Sequence, residues 1–141
     1  MEQIRVCGTP HEIERCFPVM AELRPHLARD GFQERIARQQ AEGYRLAYLE
    51  HDGEVRAVAG YRLLEMLAFG RSLYVDDLVT RAADRSRGYG DRLFDWLVAE
   101  ARGAGCVMLH LDSGTQRVEA HRFYFRKRMA IRSFRFQLDL R

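Results

Sequence analysis

Tyr74-Val75-Asp76-Asp77-Leu78-Val79-Thr80, followed after four residues by Arg85-Ser86-Arg87-Gly88-Tyr89-Gly90, is the stretch on which the reading of the fold turns. The first part belongs to a strand running from Ser72 to Thr80, with Leu73, Val75, Leu78 and Val79 as its apolar members. The second part leads into a helix from Gly88 to about Arg102, with Leu93, Phe94, Leu97 and Ala101 along one face. A helix start offers unpaired backbone N–H groups and a partial positive charge, and anions bind there. Gly88 and Gly90 carry no Cβ to hold a diphosphate away from the backbone. Arg85 and Arg87 can add charge-assisted hydrogen bonds to its oxygens. A glycine turn with solvent-facing arginines would share this composition; the strand before it and the helix after it favour the anion site.

Two other phosphate motifs do not fit. A P-loop needs Gly-x-x-x-x-Gly-Lys-Ser/Thr, and nothing matches. The dinucleotide fingerprint needs a third glycine where Leu93 stands. Asp112, about 20 residues further on, has the spacing of an acidic ribose ligand. The elements upstream of the glycines nevertheless argue against a Rossmann fold.

Those elements begin with a short strand, Gln3 to Val6. Thr9-Pro10-His11-Glu12 reads as a capped helix start, and Ile13, Cys16, Phe17, Met20 and Leu27 follow at helical spacing. Pro18 and Pro25 are expected to bend or break that helix. A second helix spans Phe32 to Glu42. Arg45 to Glu50 and Val55 to Met66 are strands joined at Asp52-Gly53, a tight-hairpin signal. With Ser72 to Thr80 they make an antiparallel meander. Downstream, Gly103-Ala104-Gly105 stops the helix, Val107 to Leu111 is a short strand, and Gln116 to Lys127 is a helix. Phe134, Phe136, Leu138 and Leu140 alternate with polar residues, which predicts a final strand. The order is β-α-α-β-β-β-α-β-α-β, an α/β sheet with antiparallel and parallel parts. No repeat, linker or charge block divides it, so residues 1–141 read as one domain.

The bulk properties narrow the function classes. A net charge of +3 is too small to argue for nucleic acid. No apolar run reaches the ~20 residues of a membrane span, and Met1 to Arg5 lacks a signal-peptide core. Cys7, Cys16 and Cys106 are odd in number and match no zinc spacing, so no metal site is expected. Buried or free thiols in a reducing cytoplasm are the expectation. The arginines crowd Arg81 to Arg92 and Arg117 to Arg135, which suits a small polyanionic ligand.

With these residues in place, the sequence resembles the GNAT N-acetyltransferase superfamily. Arg85-Ser86-Arg87-Gly88-Tyr89-Gly90 satisfies the family's Arg/Gln-x-x-Gly-x-Gly/Ala motif at every fixed position. Tyr74 to Thr80 looks like its fourth strand. Ala120-His121-Arg122-Phe123-Tyr124 looks like its Ala-x-x-Phe-Tyr element. The order of elements covers the whole chain. Two departures stand out: Arg117 where the family often has Asn, and Arg128-Met129 where it often has Gly-Phe. The second predicts a different exit from the last helix.

The resemblance implies a mixed sheet, with an antiparallel meander and two splayed parallel strands, flanked by about four helices. It implies acetyl-coenzyme A as co-substrate. The pantetheine arm would pair with backbone around Leu78, Val79 and Thr80. The pyrophosphate would sit on Arg85, Arg87, Gly88, Tyr89, Gly90 and Asp91, with Phe123 bordering the cofactor. It implies an acetyl group moved to a primary amine, on a small molecule or a peptide, by direct attack and with no acyl-enzyme. Tyr124 is the expected acid for the leaving thiolate. The base is open among Asp76, Asp77 and Glu65, or a water that passes the proton to one of them; His110 and His121 are further candidates. On an alternating strand Asp76 and Asp77 point to opposite faces, so at most one should line a given cleft. Glu22, Arg24, His26 and Tyr44 lie where acceptor selectivity resides in this architecture. A homodimer is common in the family. A coenzyme-A-binding regulatory module without catalysis is the alternative; a nucleic-acid-binding domain built on Arg122, Arg126, Lys127, Arg128, Arg132 and Arg135 has no supporting signature.

Overall fold

The computed structural model describes residues 1–141, which form two compact units, Met1–His110 and Leu111–Arg141. The first unit carries β1 (Glu2–Val6), α1 (Pro10–Leu23), α2 (Phe32–Ala41), β2 (Tyr44–His51), β3 (Glu54–Met66), β4 (Gly70–Thr80), α3 (Tyr89–Gly103) and β5 (Met108–Leu111), the last residue of which belongs to the second unit. The strands lie in chain order across one sheet. β1 to β4 pair antiparallel, and β5 returns parallel to β4 after the α3 crossover. This is the mixed sheet expected.

Local chemistry explains the boundaries. Thr9 caps α1, its hydroxyl oxygen accepting the Glu12 N–H at 3.2 Å, while Glu12 Oε1 accepts the Gly8 N–H at 3.0 Å. Pro18 does not break α1; the helix runs through it and stops at Leu23, two residues before Pro25. Asp52 and Gly53 both take positive φ, 53° and 78°, as a tight hairpin turn requires. Ile13, Cys16, Val19 and Met20 of α1 and Phe32 and Ile36 of α2 pack with Tyr44, Leu46, Tyr48, Val58 and Val79 on one sheet face. Within that core Cys7 and Cys16 are free thiols with sulfurs 3.7 Å apart. α3 packs against β2, β3 and β4, burying Leu93, Phe94, Leu97 and Ala101, and Trp96 meets the Tyr61 ring edge-on.

One irregularity in the β3–β4 ladder corrects the sequence reading. Tyr61 stands opposite Val75 and Gly60 opposite Asp77, so Asp76 is an extra residue with no β3 partner. This is a β-bulge. One-for-one pairing would set Asp77 opposite Ala59, one step along and on the other face. The bulge puts Asp77 on the α1/α2 face, and the alternation argument that separated Asp76 from Asp77 fails.

The second unit holds α4 (Val118–Arg126). Its exit was expected to differ because glycine is missing. Instead Arg128 itself adopts the left-handed conformation, with φ 66°. Its N–H bonds Phe125 O at 2.9 Å and the Met129 N–H bonds Tyr124 O at 3.1 Å, the paired closure that glycine usually makes. The expected last strand is absent. Residues 129–141 form no ladder, and Phe134, Phe136, Leu138 and Leu140 are 83–93% exposed. Alternation fixes which face each side chain takes; it supplies no partner for the backbone N–H and C=O groups.

Candidate active site

The turn between β4 and α3 is built around a buried carboxylate. Ala82–Asp84 form a short 3-10 turn, and Asp84 is 2% exposed. Arg56 Nη1 donates to its Oδ1 at 3.0 Å, Arg81 Nε to its Oδ2 at 2.6 Å, and Arg87 Nη1 lies 3.6 Å from Oδ1. Burial alone would raise the Asp84 carboxyl; Arg81 and Arg56 outweigh it and hold the group below its ordinary value. Asp84 thereby ties both ends of the turn to β3. The sequence reading missed it, since a loop aspartate among arginines reads as solvated.

Beyond Asp84 the chain turns through Ser86 at φ 67° and Gly88 at φ 84°, and Gly88 caps α3 with no side-chain hydrogen bond. A Cβ on Gly88 would also meet Arg92 Nη1 at 2.7 Å. Arg92 in turn grips both Glu2 oxygens, at 2.6 and 2.7 Å. Arg85 and Arg87 are exposed. The Tyr89 side chain is buried, and its hydroxyl lies 2.8 Å from His51 Nδ1; only its backbone is left for a ligand. Asp91 lies in the first turn. An uncapped helix start, two flanking exposed guanidiniums and a left-handed glycine fit a diphosphate in charge and in backbone access.

Leu78, Val79 and Thr80 pair with Ala59, Val58 and Ala57 on one side. On the other side β5 starts beside Arg71, whose carbonyl accepts the Val107 N–H at 2.9 Å. Four residues long, β5 ends near the level of Val75, short of Leu78 to Thr80.

A cavity of about 350 Å³ opens between α1, α2 and β4. Asp76 and Asp77 both line it, with Arg24, His26, Arg35 and Tyr44. The Tyr44 hydroxyl donates to Asp77 Oδ2 at 2.7 Å, and Arg24 Nε to Oδ1 at 3.0 Å. Arg62 Nε bonds both Asp76 oxygens at 3.0 and 3.2 Å, and Arg62 Nη2 donates to Gln39 at 3.0 Å. Burial raises the Asp76 carboxyl above its ordinary value despite Arg62. Burial also pushes Tyr44 well up, so its phenol keeps its proton. Gly60 makes this floor: a Cβ there would collide with the Tyr44 hydroxyl and ring and stand 2.5 Å from Asp77 Oδ2. A glycine inside an otherwise apolar strand was the sequence signal for this close approach. Arg62, Gln39 and Arg35 carried no such signal.

The remaining candidates fall elsewhere. Glu65 is exposed at the far end of the β3–β4 hairpin, opposite Arg71. Five residues beyond Gly60, it lies roughly 16 Å along the strand and does not line the cavity. Glu22 Oε1 accepts the Ala82 N–H at 2.8 Å and likewise lies outside the cavity lining. His110 lies 3.1 Å from the Ser72 hydroxyl, with Tyr74 and Phe69 at its ring. In the second unit, His121 Nε2 is 2.8 Å from Gly114 O. Phe123 meets Tyr124 edge-on at 5.6 Å. Burial raises the Tyr124 phenol above its ordinary value, only partly offset by Arg117, so it too holds its proton at neutral pH. No group of three or more His, Cys, Asp or Glu in the chain is arranged to hold a metal ion.

Known proteins place this architecture. The model of the Acetyltransferase (GNAT) family matches residues 9–129. An uncharacterized N-acetyltransferase of Bacillus subtilis, YhdJ, is 39% identical over 125 residues, 88% of each chain. The aminoalkylphosphonate N-acetyltransferase of Salmonella typhimurium is 30% identical over 122 residues, 86% of this chain and 77% of that one. The solved structure of AAC(6')-Iy with the bisubstrate analogue CoA-S-monomethyl-acetylneamine superposes with a TM-score of 0.82 over 100% and 99% of the chains, at 15% identity, a likeness of fold. The turn, the bulged strand and these matches agree: the chain belongs to the GNAT acetyltransferase family, whose acyl donor is acetyl-coenzyme A.

Proposed function

We propose that the chain moves the acetyl group of acetyl-coenzyme A directly to a primary amine seated in the cavity over β4. The observation that carries this reading is the bulge, which brings Asp76 and Asp77 to one cavity on the strand that leads into the Arg85–Gly90 turn. Arg85, Arg87 and the first-turn amides of α3 hold the pyrophosphate, and Leu78 to Thr80 offer backbone to the pantetheine amides.

The acceptor arrives as an ammonium with no lone pair, near its ordinary pKa of about 10. Asp76, whose proton affinity burial raises, takes that proton directly or through a water. Asp77, fixed by Tyr44 and Arg24, orients the amine. The nitrogen lone pair then attacks the thioester carbonyl and a C–N bond forms. Strand N–H groups donate to the oxyanion. The C–S bond breaks, and the sulfur takes a proton from Tyr124, a role assigned by its place in the Ala120 to Tyr124 element; the proton that the new amide nitrogen sheds returns the phenol to its neutral form. Glu65 has no part in this scheme. A cavity at the small end of the ligand-pocket range, and a relative named for aminoalkylphosphonates, favour a small-molecule acceptor over a peptide. The alternating, exposed tail from Phe134 to Leu140 supports a homodimer in which it pairs with a second copy.

The test follows thiol release from acetyl-coenzyme A across a panel of amines, for the parent protein and Tyr124→Phe. Losing the acid lowers kcat by about 100-fold or more, while the dissociation constant for acetyl-coenzyme A changes less than about twofold. Unchanged kcat removes Tyr124 from the mechanism. Tight cofactor binding without turnover of any amine would identify a regulatory module instead.

A further inference from the structure

The charges lining the cavity are unevenly matched. Asp77 is neutralised by Arg24 and Asp76 by Arg62. Each carboxylate therefore already has its own guanidinium. Arg35 also lines the cavity, is exposed, and its side chain has no hydrogen-bond or ion-pair partner. His26, in the loop between α1 and α2, lines the same space, likewise without a partner. Arg35 and Gln39 stand four residues apart and share a face of α2. The cavity thus has a paired carboxylate floor on β4 and an unmatched cationic wall on the helix side.

Resting on the amine-acetylation reading above, we propose that the acceptor is a small amine bearing an oxyanion, a carboxylate or a phosphonate. The acid group sits against Arg35 and His26, and the amine points to Asp76 and Asp77. Arg35 offers a fork of donors that matches either oxyanion. The same unmatched positive charge disfavours a second ammonium on the acceptor. A diamine would place its far cation against Arg35, where like charges repel. An alcohol would leave the guanidinium unsatisfied.

A length-matched series tests this: 3-aminopropanoate, 3-aminopropylphosphonate, 3-amino-1-propanol and 1,3-diaminopropane. Two readouts are taken, kcat/KM by thiol release and equilibrium binding to the protein with coenzyme A. In the parent protein at least one of the two acids exceeds the alcohol and the diamine by about 10-fold or more, and which acid wins distinguishes carboxylate from phosphonate. Arg35→Gln collapses the ratio of acid to alcohol, and Arg35→Glu reverses the order in favour of the diamine. Turnover of all four with no preference for an acid, or a ratio that survives both substitutions, overturns the acid-bearing acceptor and leaves amine acetylation standing. Selective binding of an acid without turnover of any amine overturns the transferase reading and keeps the site. Neither binding nor turnover overturns both.

Discussion

A methyl group at Gly60 is the most direct test of how the cavity floor is built. Its Cβ would overlap the Tyr44 hydroxyl and ring and approach Asp77 Oδ2 to 2.5 Å. Tyr44 is 3% exposed, so it cannot swing clear without disturbing the core. Overpacking of this kind costs about 1–3 kcal/mol. Displacing Tyr44 also weakens a hydrogen bond to a charged group, about 1.5–3 kcal/mol. Relief of one partly relieves the other, so Gly60→Ala should cost about 3 kcal/mol. At a urea m-value of about 2 kcal/mol/M the midpoint falls by about 1.5 M. Tyr44→Leu removes both clashing groups, so adding Gly60→Ala to it should cost about 1–2 kcal/mol less than adding it to the parent. In the enzyme assay, Gly60→Ala raises the acceptor KM far more than the acetyl-coenzyme A KM, because the Arg85–Gly90 turn is untouched. A parent-like urea midpoint, or additive effects in the cycle, would refute the close approach of Gly60, Tyr44 and Asp77.

Three further outcomes follow from features away from that floor. Asp84→Asn takes from Arg56 and Arg81 their buried carboxylate, leaving both only the exposed Glu54, and should cost about 3 kcal/mol at neutral pH. Because the folded-state pKa of Asp84 is depressed, its contribution is present above the unfolded value near 3.9 and is lost as pH falls through the folded one, so parent and variant converge in thermal unfolding below about pH 4. Arg128→Gly places the favoured residue at φ 66° and should raise stability by about 0.5–1 kcal/mol in urea titration; a loss would mean that the arginine side chain contributes more than its backbone strain costs. A chain ended at Ser133 lacks the alternating tail and should be monomeric by light scattering at concentrations where the full chain is dimeric; identical masses would exclude the tail as the contact.

The hairpin, the start of α1 and the glycine turn into α3 were legible because each rests on local chemistry: Asp52-Gly53 demands positive φ, Thr9 caps, and Gly88 opens a helix. What escaped is set by pairing across the sheet. Asp76 and Asp77 share a cavity because β3 contributes one residue fewer than β4, and no periodicity within β4 alone records that. Asp84 is buried by guanidiniums from Arg56, 28 positions away, and from the turn itself. The terminal alternation was legible as a pattern, but a strand also needs a neighbour. Arg35 stood out only when Arg24 and Arg62 proved to be taken.

The bulge at Asp76 has a genetic consequence. Asp76 occupies no rung of the ladder, so removing its codon would leave Val75 opposite Tyr61 and Asp77 opposite Gly60. Strand pairing, faces and core would all survive. The lost carboxylate would leave Arg62 as a second unmatched cation beside the acceptor. On the proposed mechanism, one in-frame triplet separates what the gene must encode to fold from what it must encode to act, and its deletion should yield a well-folded protein without the proposed proton acceptor.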